Sequence, residues 1–388
     1  MKFKMRRFSF LLWIILCVFN VFGFFTLEAI KSVSKYNRER AILFSDQSSV
    51  DWKIEGVRRK TSLKVVVIGE SVNRRYLSVM GSRWNTTPFL DGSNQVVAYT
   101  QYHAPAPNTV SSLVRTLSHS NMEDGSFDQR RNVVALARAA GYTTHWISNQ
   151  RTLGPNDTLV AKMGRQADTF RFMRQGPMVE PAGDDFALLN YLRSMLDKPG
   201  VIEPDSVIFL HMIGSHPYAC TKVRDMRIAF ESGHGRNVDC YLTSLVKLDN
   251  FLRELSLLLK KYQPSYDIIL VGDHSLRVAP LNETERLIDR MHFRTRNIDF
   301  DPNSREAYET VLLRIDSVRD QAVRIETPLS GFDFFHLYAN WLGVQGGWVK
   351  VEKNPDQPAS SAPIRVFNFK NMVPAESLPD KPPLLPAR

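Results

Sequence analysis

The sequence predicts an α/β protein, because short apolar runs alternate with amphipathic segments along most of the chain. The runs 63–68 (LKVVVI), 206–211 (SVIFLH) and 268–271 (IILV) are short and rich in β-branched or aromatic residues, which is typical of buried parallel strands. Between the last two runs, residues 239–262 carry leucines at spacings of three and four, which predicts a long helix with one apolar face. Strands that alternate with helices indicate a central sheet with helices on both faces.

The N-terminal segment predicts a membrane anchor. Four basic residues lie within residues 1–7, and residues 8–27 then contain no charged side chain. A helix of this length spans roughly 30 Å, the thickness of a bilayer core. Because the apolar segment is long and lacks a small-residue cleavage site, we expect an uncleaved transmembrane helix at 8–27 after a cytoplasmic tail at 1–7. The positive-inside rule then places the rest of the chain outside the cytoplasm.

Three further segments are predicted after the anchor. Residues 28–61 are polar and charge-rich and predict a stalk, residues 62–350 carry the alternating pattern and predict the globular domain, and residues 351–388 are rich in proline and predict a loosely ordered tail. The formal net charge is +10, which favours anionic lipid or glycan surfaces as partners outside the membrane. Scattered basic residues without helix-turn-helix or zinc-finger spacing argue against nucleic acid.

The remaining elements follow from local patterns. Asn108 is a good N-terminal cap, which predicts a helix that begins at Thr109, and Gly141 ends a second helix. Strands are predicted at 96–100, 143–147 and 310–315, and helices at 109–118, 131–140, 184–196 and 332–342. No internal repeat occurs in this pattern.

Polar side chains with metal-binding chemistry follow three of the predicted strands. Glu70 follows the first strand, His211 and His216 follow the 206–211 run, and Asp273 and His274 follow the 268–271 run. In an open α/β sheet, ligands bind beyond the carboxyl ends of the strands, and carboxylate oxygen with imidazole nitrogen is a common zinc donor set. Each residue alone could be a turn cap or a surface histidine, but three such ends in one sheet favour a metal site.

Six segments together resemble the bacterial phosphoethanolamine transferases, in the sulfatase-like branch of the alkaline phosphatase superfamily. The segments are GESVNRRYLSVMGSRWNTTPFL at 69–90, APNTVSSLVRTLS at 106–118, HWISNQ at 145–150, HMIGSHPY at 211–218, DCYLTSLVKLDNFL at 239–252, and the Asp-His pair. They occur in the family's order over about 65–345. The resemblance implies an alkaline-phosphatase/sulfatase-like central sheet for the globular domain.

The resemblance also implies roles for single residues. Glu70, Asp273 and His274 are similar to family metal ligands for zinc, and Thr109 is similar to the nucleophile, which also contacts the metal. Bound zinc favours the alkoxide of a threonine, which is otherwise a poor nucleophile, and a helix N-terminus favours a phosphate nearby.

Two further residues have less certain roles. His216 is similar to a histidine that binds the phosphoryl group or a second zinc, with a loop residue beside Pro217 as the alternative. Asn149 is expected to line the substrate site together with Gln150, with a strand-end turn as the alternative. His211 is expected to be a buried strand histidine and not a ligand.

The sequence departs from the family at several points. Ser275 and Leu276 stand where the family has Gly-Glu, and His292 is the nearest candidate for a further family histidine. A second metal site is therefore left open. One predicted anchor stands in place of the family's multi-helix membrane domain. The Cys/Ser-x-Pro-x-Arg motif of true sulfatases is absent, which argues against sulfate ester hydrolysis.

These observations predict a single-pass enzyme of the bacterial inner membrane with its domain in the periplasm. We expect Thr109 to take phosphoethanolamine from phosphatidylethanolamine and pass it to an envelope glycan, with lipopolysaccharide as the expected acceptor. A phosphoglycerol transferase, a phosphodiester hydrolase and a non-catalytic envelope binding protein remain alternatives. Ser71 is a rival nucleophile, although its segment lacks the second glycine of a nucleophile elbow.

Cys220 and Cys240 flank a loop beside His216 in the exported part of the chain. Because disulfides form outside the cytoplasm, we expect a bridge between them, with two free buried thiols as the alternative.

Overall fold

The structure is a computed structural model that describes residues 2–45, 50–59, 62–154, 157–174, 183–291 and 295–386, without the side chains of 2–19, 21 and 22. Its centre is an eight-stranded sheet. The strands are β1 (Leu63–Gly69), β2 (Val96–Tyr99), β3 (Thr143–Arg151), β4 (Thr169–Arg174), β5 (Ser206–His211), β6 (Tyr266–Gly272), β7 (Leu312–Asp316) and β8 (Val323–Ile325). Their spatial order is β8-β2-β7-β6-β1-β5-β3-β4.

The three strands that precede the predicted metal ligands are neighbours. β1 pairs in parallel with β6 on one side and with β5 on the other. β7 alone in this sheet is reversed, since it pairs antiparallel with both β6 and β2. The carboxyl ends of β1, β5 and β6 therefore meet at one edge of a mixed sheet, as the sequence predicts for ligand-bearing strands.

The α-helices cover both faces of this sheet, as predicted. They are α1 (Lys2–Phe44), α2 (Pro88–Asp91), α3 (Thr109–Thr116), α4 (Val133–Ala139), α5 (Thr158–Gly164), α6 (Phe186–Leu196), α7 (Arg236–Tyr262), α8 (Glu283–Arg290) and α9 (Phe334–Leu342). Alternate side chains of β1 enter opposite cores: Val65 and Val67 pack with α6 and α7, and Val66 and Ile68 pack with α3, α4, α5 and α9. A strand covered on both faces is mostly apolar, which is why β1 is an apolar run interrupted only by the buried Lys64.

Small two-stranded sheets lie around the central one. Gly56–Val57 pairs with Val344–Gln345, Tyr102–His103 with Leu329–Ser330, Ser118–Ser120 with Phe127–Asn132, Arg277–Val278 with Ile298–Asp299, and Arg365–Phe367 with Met372–Pro374. The first of these pairs joins the segment after α1 to the chain after α9. The N-terminal segment is thereby attached to the globular domain.

Helix α1 runs without interruption through residues 8–27 and the first half of the predicted stalk. Its C-terminal end contacts the domain, where Leu43 is buried among side chains of α5 and the sheet. In the part of the chain that the structure describes, no helix is both long and apolar enough to cross a membrane. Most side chains of the anchor predicted at 8–27 lie outside that part.

The C-terminal segment is ordered, which corrects the prediction of a loose tail. Val366 is buried against Ala307 and Tyr308, and Trp84 Nε1 donates a hydrogen bond to Leu384 O at 2.8 Å. Sparse apolar side chains in this proline-rich segment are enough to pack it on the domain. Local composition could not show this, because the partners are far away in the sequence.

A disulfide joins Cys220 to Cys240, with a Cα–Cα distance of 4.8 Å. It ties the loop after β5 to the first turns of α7. The predicted bridge is therefore confirmed in the structure.

Candidate active site

The parallel register of β1 and β6 brings two carboxylates together. Gly69 lies opposite Gly272, and the strands are followed by Glu70 and Asp273, respectively. The backbone N–H of Asp273 donates to Gly69 O at 2.9 Å, which links the two turns. Only glycine fits at position 272, because a Cβ atom there would lie 2.0 Å from Thr310 Oγ1.

Three side chains at these strand ends form one buried cluster. Glu70, Asp273 and His274 each offer a ligand atom, and these atoms lie within 4.8 Å of one another. His274 Nε2 is 3.5 Å from Glu70 Oε1 and 3.3 Å from Asp273 Oδ2. The structure thus brings together the three metal ligands that the sequence predicts.

The orientation of His274 suits metal binding. Its Nδ1 lies 2.8 Å from Ser275 O, and because a carbonyl oxygen can only accept, Nδ1 must carry the proton. In the neutral ring that metal binding requires, the lone pair would therefore be on Nε2, which faces the two carboxylates. Metal-binding histidines are commonly fixed by such a contact.

Asp273 has one oxygen that is held by the protein and one that is not. Its Oδ1 accepts from Ser71 N at 2.8 Å and from His274 N at 2.6 Å. Its buried Oδ2 has no hydrogen-bond partner among the described residues. A buried carboxylate oxygen without a donor is costly, and a bound cation would remove that cost.

The charges of the cluster also call for a cation. Burial raises the pKa of Asp273 well above its ordinary value, and the neighbouring Glu70 raises it further. Burial also opposes ionisation of Glu70, but the hydrogen bond with His274 and the charges of His216 and His274 hold its pKa well below its ordinary value. Two buried carboxylates thus compete for one imidazole, and a divalent cation would neutralise both. The residues fit zinc, which binds this oxygen and nitrogen set.

Helix α3 brings the predicted nucleophile to the cluster. Asn108 Oδ1 accepts from Ser111 N at 3.0 Å and caps the helix, as predicted. Half-buried Thr109 follows the cap, and its Oγ1 donates to Glu70 Oε2 at 3.2 Å and lies 3.5 Å from His274 Nε2. The hydroxyl therefore lies between two predicted metal ligands, beside the free backbone N–H groups of the first helical turn.

The rival nucleophile, Ser71, is held differently. Its Oγ donates to Glu70 Oε1 at 2.6 Å, and its backbone has a left-handed φ of 58°. The side chain is fully buried. This arrangement orients Glu70 and leaves Thr109 as the more accessible hydroxyl.

The two predicted substrate-binding residues are not at the centre of the cluster. His216 is exposed, and its Nδ1 contacts Pro217 O at 2.6 Å. The amide of Asn149 donates to Gly183 O at 2.9 Å and to Asp185 Oδ1 at 2.7 Å. The substrate role of Asn149 therefore stays a prediction without a supporting contact.

The neighbouring side chain on β3 contacts the site instead. Gln150 Nε2 lies 3.3 Å from Glu70 Oε2 and donates to Met212 O at 2.9 Å. Successive side chains of a strand point to opposite faces, so only one of the two amides at the end of β3 can face Glu70. The sequence names both residues but cannot choose between them.

Sequence reasoning missed two basic residues whose charges act near Glu70, namely Lys222 and Arg174. Burial lowers the pKa of Lys222, and the charges of Asp185, Arg174 and Glu70 also act on it. No pattern marks these cations, because each is an isolated basic residue in a polar segment. His211 is buried beside Ser148, as predicted, whereas His292 lies outside the described residues.

Comparison with known proteins identifies the family. The Sulfatase family model matches residues 63–344. Phosphoethanolamine transferase OpgE of Escherichia coli K12 is 29% identical over 321 residues, which are 82% of this chain and 58% of that protein. A putative phosphoethanolamine transferase of Haemophilus influenzae is 28% identical over 221 residues, or 55% of this chain and 45% of that protein. The chain thus spans about half the length of these relatives.

Solved structures show the same fold. The C-terminal periplasmic domain of EcEptC from Escherichia coli, in complex with Zn, has a TM-score of 0.70 at 17% identity and covers 85% of this chain and 98% of that domain. The integral membrane protein lipooligosaccharide phosphoethanolamine transferase A from Neisseria meningitidis has a TM-score of 0.51 at 15% identity. The match covers 84% of this chain and 62% of that protein. At these identities the likeness establishes the alkaline phosphatase/sulfatase-like fold alone. Because the Sulfatase family model matches most of the chain, the chain belongs to the sulfatase family.

Proposed function

We propose that this protein transfers phosphoethanolamine from phosphatidylethanolamine to an envelope glycan through a covalent intermediate on Thr109. The observation that carries this proposal is the Thr109 hydroxyl, which donates to Glu70 Oε2 at 3.2 Å at the start of α3. The names of the relatives support phosphoethanolamine as the transferred group. Transfer, and not only binding, is supported because a hydroxyl, a carboxylate and an imidazole are together where a phosphate would bind.

In the first step, Thr109 Oγ1 attacks the phosphorus of the donor. A bond forms between Oγ1 and phosphorus, the bond from phosphorus to the glycerol oxygen breaks, and diacylglycerol leaves with the proton that the threonine hydroxyl lost. Glu70 Oε2, to which the hydroxyl donates at 3.2 Å, is near enough to Oγ1 to hold that proton in transit. The backbone N–H groups of the first turn of α3 stabilise negative charge on the phosphoryl oxygens.

In the second step, a hydroxyl or phosphate oxygen of the glycan attacks the same phosphorus. The bond between phosphorus and Thr109 Oγ1 breaks, the threonine recovers a proton, and the glycan carries phosphoethanolamine. The two steps are chemically symmetric, so the same side chains serve both.

Glu70, Thr109, Asp273 and His274 are the residues that would hold zinc. When bound, zinc favours the alkoxide form of a hydroxyl and stabilises negative charge on phosphoryl oxygens. Ser71, Ser275 and Gln150 fix the orientation of these ligands through their hydrogen bonds. This geometry supports one zinc site, and a second zinc site at His216 is left open.

The proposed location is the periplasmic side of the bacterial inner membrane, with the chain anchored by residues 8–27. The apolar composition of that segment and the basic residues before it support this orientation. A lipid donor and an envelope acceptor, with lipopolysaccharide as the expected one, would both be accessible there.

The test is mass spectrometry of envelope glycolipids and soluble glycans from cells with and without the gene. A phosphoethanolamine mass increment on one component, lost without the gene and restored by the intact chain but not by Thr109→Ala, is the expected result. A phosphoglycerol increment would replace the proposal with the alternative transferase. The absence of any difference would leave a binding protein as the better interpretation.

A further inference from the structure

A groove lies between the C-terminal end of α1 and the edge of the central sheet. Its volume is about 510 Å³. Its walls include Tyr36, Arg40 and Phe44 of α1, Arg165 directly after α5, and Phe170 and Arg171 at the start of β4. The groove is separate from the Glu70 cluster and takes no part in the proposed reaction steps.

Three arginines give the groove a positive charge that no acidic side chain of its described lining balances. Among the described residues, no acidic side chain lines it, and Arg40, Arg165 and Arg171 form no ion pair. By contrast, the buried Arg314 is paired with Asp267. An arginine fork without a carboxylate is well suited to a phosphate.

Aromatic rings hold the guanidinium groups in place. The Arg165 guanidinium lies 4.6 Å from the ring centre of Phe44 and 4.9 Å from that of Phe170, and the Arg40 guanidinium lies 6.0 Å from Phe44. Stacking occupies the flat faces of these groups and leaves their N–H edges for a ligand.

The same walls are also apolar and open. Phe44 is 58% exposed and Phe170 is 43% exposed, and on α1 the exposed apolar surface continues through Ile30 and Val33, at 65% and 59%. Exposed apolar residues of this size on one stretch of surface mark an interaction site. Apolar walls with an unpaired cationic patch match an amphipathic anion.

The groove also lies between the predicted membrane segment and the catalytic edge. Tyr36 is nine residues beyond the end of the predicted anchor at residue 27, or about 14 Å along the helix. On the other side, Thr152 lines the groove two residues after Gln150, whose amide is 3.3 Å from Glu70 Oε2. The groove is therefore connected to the Glu70 cluster through the end of β3.

We propose that this groove binds a phospholipid of the bilayer, with the lipid phosphate on Arg40, Arg165 and Arg171 and the acyl chains along the exposed aromatic wall. This inference rests on the proposed function for the membrane anchor and the lipid donor. Bound in this way, the lipid holds the domain against the membrane and presents donor molecules to Thr109.

The first test is photo-crosslinking with the full chain in nanodiscs of phosphatidylethanolamine and phosphatidylglycerol. p-Benzoylphenylalanine replaces Phe170 in a Thr109→Ala background, so that no turnover is needed. Phe127, another exposed phenylalanine that does not line the groove, carries the same probe as the matched control. We expect phospholipid adducts at position 170 well above those at 127, and their loss when Arg165→Gln and Arg171→Gln are added.

The second test separates lipid binding from chemistry. In the otherwise intact chain, Arg40→Gln, Arg165→Gln and Arg171→Gln together should raise the KM for bilayer phosphatidylethanolamine about tenfold, equal to about 1.4 kcal/mol, because charge-assisted hydrogen bonds to phosphate are lost. Activity with glycerophosphoethanolamine, a donor without acyl chains, should not change. Arg253→Gln on α7 removes one surface charge elsewhere and serves as the control.

Each other outcome overturns the proposal. Equal lipid labelling at 170 and 127, adducts at 170 that consist of a second copy of this chain, or an unchanged KM in the triple variant would each show that the groove does not hold lipid. Failure of the proposed function gives a different result, since lipid adducts at 170 would persist while no donor forms a covalent intermediate.

Discussion

Replacing Thr109 with alanine tests the proposed mechanism most directly, because it removes one hydroxyl and little else. Without Oγ1 no covalent intermediate can form, and loss of a nucleophile lowers kcat by about 10⁴-fold or more. The fold should survive. The lost hydrogen bond to Glu70 costs about 1.5 kcal/mol, and the better helix propensity of alanine offsets about 0.5 kcal/mol of it. The net loss of unfolding free energy is about 1 kcal/mol.

Zinc should remain bound in Thr109→Ala, because Glu70, Asp273 and His274 still provide three ligands, as in many catalytic zinc sites. Thr109→Ser keeps the hydroxyl but frees its rotation. The β-branched threonine is restricted at χ1, whereas a serine can occupy three staggered rotamers. If only one of the three directs the hydroxyl at the donor phosphorus, kcat should fall about threefold.

The assay incubates the purified chain with phosphatidylethanolamine and no acceptor, then locates the modified peptide by mass spectrometry. We expect a phosphoethanolamine adduct on Thr109 in the native protein and in Thr109→Ser, and none in Thr109→Ala. Ser71→Ala is the matched control, since Ser71 also bonds Glu70. Full activity in Thr109→Ala, or an adduct on Ser71, would refute the assignment.

Four further predictions concern the metal and the stability of the fold. Zinc should raise the melting temperature of the chelated protein and restore its transfer activity. Reduction of the Cys220–Cys240 disulfide should lower the unfolding free energy by about 3 kcal/mol, measured by urea titration. Arg314→Met should cost about 3–5 kcal/mol in the same assay, because Asp267 would stay buried without its partner. Burial lowers the pKa of His336 to about 4, and the unfolded chain binds that proton near pH 6.5, so stability should fall by roughly 2 kcal/mol between pH 7 and pH 5.

Each of these has a control. Mutation of Asp273 to asparagine should abolish the thermal shift with zinc. Thiol titration of the unfolded, unreduced chain should find Cys17 alone, and three thiols would contradict the bridge. Arg319→Met, whose side chain is 24% exposed, should cost less than about 1 kcal/mol. His336→Asn should flatten the pH dependence, since Lys350 N donates to the histidine Nδ1 and an asparagine oxygen can accept there. An unchanged slope would contradict the role of His336.

The sequence by itself predicted six of the eight strands of the central sheet and the candidate ligands that follow three of them. β5 begins and ends as its apolar run predicts, β1 extends its run by Gly69, and β6 extends the 268–271 run by two residues before it and by Gly272 after it. A strand that is covered on both faces is mostly apolar, and this local pattern can be recognised directly in the sequence. The residue that follows such a strand is equally visible, so Glu70, Asp273 and His274 could be named without a structure.

Only the tertiary structure decided which of these residues meet, and what else joins them. Nothing local fixes that β1 lies between β5 and β6, that Gln150 and not Asn149 faces Glu70, or that the proline-rich tail packs on the domain. The groove between α1 and β4 is likewise invisible in the sequence, because its arginines come from segments more than a hundred residues apart. Contacts of this kind depend on strand order, on which face a side chain occupies and on distant partners, and these are set when the whole chain packs.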